Sequence, residues 1–247
     1  MLKLSYDLHI HSCLSPCAED DMTPSNIAAM AALKGLDIIA IADHCSARNC
    51  PALFEVAKQY DIIPIAAMEV STHEEIHCLC LMPTLESALE LDGIVYSHLP
   101  AIVDKKGIFG RQLIVDKDEN IIGDVAHLLW NATSIGIDEL HDTVRSLGGM
   151  LIPAHIDRKS ASIISQLGFI PPDSEFTCAE VKDLSKLAEI VKTKKMLEKM
   201  NIITNSDAHS LGEINEAVNF INVKSRRIED IFHAISQPNT ALNSINS

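Results

Sequence analysis

Short apolar runs alternate with stretches of helical period along most of the chain. Leu4–His9 reads as the first strand. Thr23-Pro24-Ser25 then opens a helix, with Thr23 as N-cap and Pro24 at the first helical position, that runs to Lys34 and stops at Gly35. Asp37–Ala42 is the next strand, and a helix follows near Ala52–Tyr60. Ile62–Met68 and Ile76–Met82 are strands, and Thr84 caps a helix through Leu91. Further on, Ile137–Leu147 reads as a helix, Met150–Ala154 as a buried strand, Ser160–Leu167 as a short helix and Thr177–Val181 as a strand. Ser185–Met200 is the longest helical candidate. Ile202–Asn205 and Ala217–Val223 are strands, and Ile228–Ser236 is the last helix. Repeated βα units predict an α/β fold with a mostly parallel sheet, in which active sites gather at the carboxyl ends of strands.

The rhythm breaks at about 92–124, where Gly93, Pro100, Lys105-Lys106-Gly107, Gly110 and Asp118-Glu119-Asn120 interrupt apolar pairs. This stretch reads as an insertion, with a hairpin around Gln112–Ile122 turning at Asp116–Asn120. It serves either as a surface excursion or as a lid or interface. The expected organisation is one domain over residues 1–238 with that insertion, followed by a polar tail over 239–247.

Hydrophobic residues make up 47% of the 247 and aromatics only 4%, so the core should be aliphatic. The formal net charge of −14 argues against a stable nucleic-acid complex, because a duplex binder normally presents a basic surface. Bound cations would offset part of that charge. The seven cysteines follow no disulfide framework. No signal-like segment precedes the first strand, and no apolar run approaches the roughly 20 residues needed to span a bilayer. A cytoplasmic protein with no membrane partner is the expectation, and the oligomeric state is left open.

The candidate chemistry sits where the predicted strands end. Asp7-Leu8-His9-Ile10-His11-Ser12 places two imidazoles at i, i+2, on one strand face, with Asp7 on the same face to orient a ring. Asp207 and His209 repeat the spacing after another apolar run. His44, Glu69 and His155 each follow a strand directly, and His77 begins one, whereas His73 sits in a polar turn. Taken together these groups predict a metal centre assembled from the whole chain. His98, His127, His141 and His233 read as solvated or structural. Arg158 and Lys159, after His155, and Arg48, after His44, are candidate phosphate contacts. Glu180, Asn205 and Ser206 are candidate supports.

The ordered set Asp-Leu-His-Ile-His-Ser, Ala-Asp-His, Met-Glu-Val, Pro-Ala-His and Ser-Asp-Ala-His resembles the PHP (polymerase and histidinol phosphatase) family, over roughly Leu4 to Phe232. The resemblance implies a distorted (β/α)7 TIM-like barrel carrying two or three divalent ions. It implies that His9, His11, Glu69 and Asp207 hold one ion, that Glu69 bridges to a second held by His77 and His155, and that His44 and His209 hold a third. Cys17 stands where relatives carry a His or an Asp, with Glu19 and Asp20 as rivals. A thiolate there suits zinc or iron. Imidazole with carboxylate favours Mn, Zn or Fe.

The expected activity is metal-dependent hydrolysis of a small phosphorylated substrate, a phosphomonoester or nucleotide. The ions activate water, Arg158 orients the phosphate and Asp43 supplies the leaving-group proton. A C–N hydrolase on a related barrel and a non-catalytic metal-binding protein are the alternatives.

Overall fold

The computed structural model describes residues 1–103, 108–187, 189–190 and 195–238. Its frame is a six-stranded sheet formed by β1 (Leu2–Ile10), β2 (Ile38–Ile41), β3 (Ile63–Ser71), β4 (His77–Met82), β7 (Met150–Pro153) and β10 (Phe220–Val223), in the spatial order β10-β1-β2-β3-β4-β7. Two further pairs are β5 (Leu113–Val115) with β6 (Ile121–Asp124), and β8 (Cys178–Glu180) with β9 (Asn201–Ile203).

Helices among the described residues include α1 (Pro24–Leu33), α2 (Cys50–Val56), α3 (Leu85–Ser97), α4 (Ile137–Ser146), α5 (Ile163–Leu167) and α6 (Ile228–Ser236). Thr23 caps α1, its side chain accepting from the Asn26 N–H, and Gly35 leaves the helix at φ 74°.

The α/β class is as expected, but the sheet is less parallel than the βα rhythm predicts. The steps β1/β2 and β2/β3 are parallel, while β1/β10, β3/β4 and β4/β7 are antiparallel. The cause lies in the connections. β3 and β4 are joined only by Thr72–Ile76, too short for a crossover helix, so the chain must turn back on itself. The strict (β/α)7 barrel is also not what the strands form. The sheet curls, and β7 and β1 are linked to the β8/β9 segment by isolated contacts just beyond the strands rather than by ladders. The Ile156 N–H reaches the Glu180 carbonyl (2.9 Å) on one side, and an isolated Ile10–Ala208 bridge joins β1 on the other.

Most central strands are buried on both faces, which is why they read as continuous apolar runs. Leu8, Ile38, Ala40, Ile65, Ala67 and Leu79 fill the inner face, and Ile39 and Ile41 pack outward against Ile27, Ala28 and Leu53 of α1 and α2. Each fully buried Leu or Ile contributes about 1.5–3 kcal/mol.

Two boundaries differ from expectation. α3 runs six residues past Leu91, because Thr84 and Ser87 form a capping box and Leu91 and Val95 continue one buried face. The excursion therefore begins after Ser97. The helix predicted over Ser185–Met200 falls partly on residues outside those described. Its described ends include 3-10 turns at Leu184–Lys186 and Lys195–Lys199. Lys105-Lys106-Gly107 and the tail 239–247 also lie outside the described residues.

The hairpin expected at Gln112–Ile122 is present as β5/β6, and its turn is organised by Asp116, which accepts from the Asp118 and Asn120 backbones. It is tied down firmly. Buried Asn49 donates to the Leu113 carbonyl (3.0 Å) and Ser12 Oγ (2.9 Å) and accepts from the Val115 N–H (3.0 Å). The Leu113 N–H also reaches the Cys13 carbonyl (3.0 Å). Gly110 lies so close to the Pro16 carbonyl that no side chain fits between them. The excursion is thus strapped to the loop that carries Cys17. No described helix is long and apolar enough to cross a membrane.

Candidate metal centre

The predicted ligands lie on strands or in the loops that follow them, and together they surround one buried carboxylate. Glu69, on β3, is 1% exposed. Its Oε1 lies 2.9 Å from His77 Nδ1, 3.0 Å from His155 Nε2 and 3.5 Å from His9 Nε2. Its Oε2 lies 3.1 Å from His44 Nδ1 and 3.5 Å from His11 Nε2. Asp207 Oδ1 closes the other side, 3.2 Å from His11 Nε2 and 3.6 Å from His9 Nε2.

Ligand atoms gather within 4.8 Å of one another in three overlapping groups: His9, His11 and Glu69; His44, Glu69 and His77; and His11, Cys17, His44 and His209. The last group brings Cys17, rather than Glu19 or Asp20, to His44 and His209. The grouping differs from that implied by the resemblance: His44 serves both Glu69 and the Cys17 group, His11 joins the Cys17 group as well, and Asp207 and His155 approach these atoms without falling in any of the three groups. His73 is exposed and outside the cluster.

Backbone conformation helps to aim these groups. His155 (φ 31°) and Asp207 (φ 49°) are left-handed without being glycine, as is Cys45 (φ 47°) beside His44. Such residues typically cost about 1–3 kcal/mol each and gather at functional sites.

Hydrogen bonds fix the tautomers of the first two histidines. Ser12 Oγ accepts from Leu14 N–H and Asn49 Nδ2, so its own proton goes to Asp43 Oδ2. Ser15 Oγ accepts from the His44 N–H and donates to Asp43 Oδ1 (2.6 Å), leaving His11 Nδ1 (2.9 Å) as a donor to it. Likewise Glu180 accepts from His9 Nδ1 (3.0 Å), the His155 N–H (2.9 Å) and Asn205 Nδ2 (2.7 Å). Both rings therefore carry hydrogen on Nδ1 and turn Nε2 inward. His9 Nε2 and His11 Nε2 are buried without a hydrogen-bond partner, facing carboxylate oxygens. Lone pairs opposing carboxylates in a dry site need a cation or a proton between them. The donor set thus fits the metal ions its pattern implies.

The electrostatics agree. Burial opposes charge on His9, but Glu180, Glu69 and Asp207 outweigh it and hold its pKa well above the usual imidazole range. Burial likewise opposes charge on His77, and Glu69 overcomes it to raise that pKa. His11 is pushed well down by burial and by His44, and His44 is lowered by burial. Burial alone would raise Glu69, yet His77 and His9 pull it well below the carboxylate range. Burial pushes the Cys17 thiol up to about 12 in the absence of an ion. Loading ions here must therefore displace protons.

Other expected residues find definite places. The Arg158 guanidinium pairs with Asp207 Oδ2 and so reaches the centre. Lys159 is exposed beside it. Arg48 is committed elsewhere, bonded to Asp92 (3.1 Å) and lying over the Tyr96 ring, so it is not aimed at the site. Asp43 is buried with both oxygens engaged by Ser12 and Ser15, beneath His11. Asp7 orients no imidazole. It accepts from the Ser206 and Asn215 backbones, because a register shift between Asp7 and Ile10 breaks the alternation.

Sequence reasoning missed Ser12, Ser15, Lys182 and Trp130. Lys182 Nζ reaches the Ser206 carbonyl next to Asp207, and the Trp130 ring lies 5.1 Å from that of His44. Being the one tryptophan in an aromatic-poor chain was the available signal for Trp130.

The fold and site define a hydrolase-type metal centre built on strand ends. The PHP domain matches residues 7–144, and the chain belongs to that family, whose members are metal-dependent hydrolases. Uncharacterized protein MJ0043 of Methanocaldococcus jannaschii is 33% identical over 164 residues, covering 66% of this chain and 18% of that protein.

Among solved structures, the lesion-specific endonuclease PfuEndoQ of Pyrococcus furiosus shares the fold (TM-score 0.67, 21% identity, 95% of this chain and 56% of that one). So does a Bifidobacterium adolescentis protein named as a metal-dependent phosphoesterase (TM-score 0.58, 14% identity, 96% and 98%). The chain thus spans about half of PfuEndoQ and under a fifth of MJ0043.

One expectation is overturned. Endonuclease Q has been crystallised with a 27-mer duplex substrate bearing an abasic lesion at the active site, in the same fold (TM-score 0.66). An acidic balance therefore does not exclude nucleic acid here. Part of the −14 lies inside the fold and not on its surface: Asp7, Asp43, Glu69, Asp92, Glu180 and Asp207 are all buried.

Proposed function

We propose that this protein hydrolyses a phosphoester bond at a centre of two or three divalent ions. The observation that carries the reading is the pair of inward, unpartnered Nε2 atoms of His9 and His11 facing Glu69 and Asp207. His9, His11, Glu69 and Asp207 hold one ion, Glu69 with His77 and His155 a second, and Cys17, His44 and His209 a third. When bound, the ions supply Lewis acidity that activates water and screens phosphate charge.

The chain's own groups do the rest. Glu180 and Ser15 hold the Nδ1 protons of His9 and His11, which keeps both rings oriented. Asp43 fixes Ser12 and Ser15, and thereby the loop leading to Cys17. Arg158, exposed on one side and paired with Asp207 on the other, orients a phosphate by its planar fork of donors.

The test is hydrolysis of p-nitrophenyl phosphate and bis(p-nitrophenyl) phosphate by protein reconstituted separately with Mn, Zn and Fe, with metal content quantified. Metal-dependent turnover that disappears in Glu69→Gln, together with a loss of bound metal, is expected. Turnover that survives in a metal-replete Glu69→Gln protein would overturn the reading.

A further inference from the structure

The only tryptophan of the chain stands at the edge of the metal centre with half its surface open. Trp130 is 51% exposed, and its ring meets that of His44 at 60°, an edge-type rather than a parallel contact. The backbone around it is pinned rather than loose. The Leu128 N–H reaches the Ile102 carbonyl (2.8 Å), and the N–H of fully buried Leu129 reaches Gln112 Oε1 (2.8 Å). On the other side, the N–H and hydroxyl of Thr133 both donate to the carbonyl of Ser71, the residue paired with His77 across β3/β4 (2.9 Å each). Cys45, next to His44, points its thiol at the Asn131 carbonyl. Leu128 and Leu129 before it and Thr133 after it are buried, while the large ring between them is half exposed. Leaving an indole half exposed forgoes the burial that normally stabilises it, which makes sense if a ligand covers it.

We infer that Trp130 is a stacking platform for the nucleobase of the nucleotide unit whose phosphate engages the metal centre. The inference rests on the phosphoesterase reading for the phosphate but on Trp130 alone for the base. An indole recognises a planar π-face without reading base identity, so a nucleobase is the ring it fits. A phosphate at the centre carries such a base one sugar away, on the side where His44 meets Trp130. The same chemistry is offered by a free nucleotide and by a nucleotide within a strand.

Being the sole tryptophan, Trp130 reports on itself. The experiment titrates zinc-loaded protein with 5′-AMP, with a ten-residue single-stranded oligo(dA) and with ribose 5-phosphate, reading tryptophan fluorescence. Hydrolysis of 5′-AMP and ribose 5-phosphate is compared in the wild type, Trp130→Ala and Trp130→Phe.

Saturable quenching by 5′-AMP or oligo(dA) but not by ribose 5-phosphate is expected, and whichever binds more tightly identifies the source of the base. Trp130→Ala should weaken the preference of kcat/KM for 5′-AMP over ribose 5-phosphate by roughly tenfold to a hundredfold, and Trp130→Phe should keep most of it. Absence of base-dependent quenching, or equal quenching by ribose 5-phosphate, overturns the inference even if phosphoesters are hydrolysed. Base-dependent quenching without hydrolysis of any phosphoester supports the platform and sinks the phosphoesterase reading instead.

Discussion

Glu180 ligates nothing in the proposed arrangement, yet its replacement by glutamine should change metal binding in a way that can be worked out beforehand. Its two oxygens receive His9 Nδ1–H, the His155 backbone N–H and Asn205 Nδ2–H, and it is 2% exposed. A glutamine offers one oxygen and one NH2, so in either orientation a buried donor faces another donor. Losing a hydrogen bond to a charged acceptor costs about 1.5–3 kcal/mol, and the stranded donor adds about 1–3 kcal/mol. Glu180→Gln should therefore destabilise the apo protein by roughly 2.5–6 kcal/mol.

Metal affinity should fall by about 10- to 100-fold, because His9 loses the partner that orients it and raises its basicity. The pH dependence gives a sharper test. In the wild type, Glu180, Glu69 and Asp207 together overcome burial to keep His9 protonated above the ordinary imidazole range, so an incoming ion must displace that proton. The charge-neutral glutamine weakens the proton's hold as well as the ion's. Above the wild-type His9 pKa the variant should bind zinc more weakly by the full factor. As the pH falls through that pKa the two affinities should converge.

The assay is competition with a chromophoric chelator at several pH values, alongside urea unfolding of the apo forms. Equal affinities at high pH, or a gap that stays constant as pH falls, would refute the coupling of Glu180 to the centre through His9.

Other perturbations separate the remaining parts. Cys17→Ser should lose a whole equivalent of zinc at matched free-metal concentration while the Glu69 groups stay filled, measured by elemental analysis after dialysis. Since burial places the free thiol at about 12, zinc uptake at that group should also release a proton, detectable in weakly buffered solution. Asn49→Ala removes three hydrogen bonds to buried partners and should cost about 2–4 kcal/mol in urea unfolding. Hydrogen exchange at Leu113 and Val115 should rise with it.

Much of the centre was legible because strand ends announce themselves. His9 and His11 alternate after an apolar run, and Asp207, His209, His44, Glu69 and His155 follow the same rule. A short connection was legible too, since no helical period separates Ile62–Met68 from Ile76–Met82. That spacing should have signalled an antiparallel step before the structure displayed one.

What could not be read depends on placement in three dimensions. Asp7 has the spacing of an orienting carboxylate, but a bulge turns it to the Ser206 backbone. Arg48 follows His44 closely enough for phosphate contact, yet Asp92 and Tyr96, far along the chain, claim it. Ser12 and Ser15 have no pattern of their own, because their value lies in the single proton each can give to Asp43.

The proximity of His11 to Asp207 has a consequence for how the molecule holds together. These residues are 196 positions apart in sequence, yet His11 Nε2 and Asp207 Oδ1 are 3.2 Å apart. An ion held by both acts as a removable cross-link between the first strand and the closing segment of the chain. It ties a loop of 196 residues, whose entropy an unfolded chain would otherwise recover. Such an ion binds only the assembled form, so melting temperature should climb with free metal concentration, and a chelator should act as a mild denaturant. Nor can such an ion bind both partners before Asp207 has been synthesised and folded back against His11. Metal loading thus reports that these two distant segments have met.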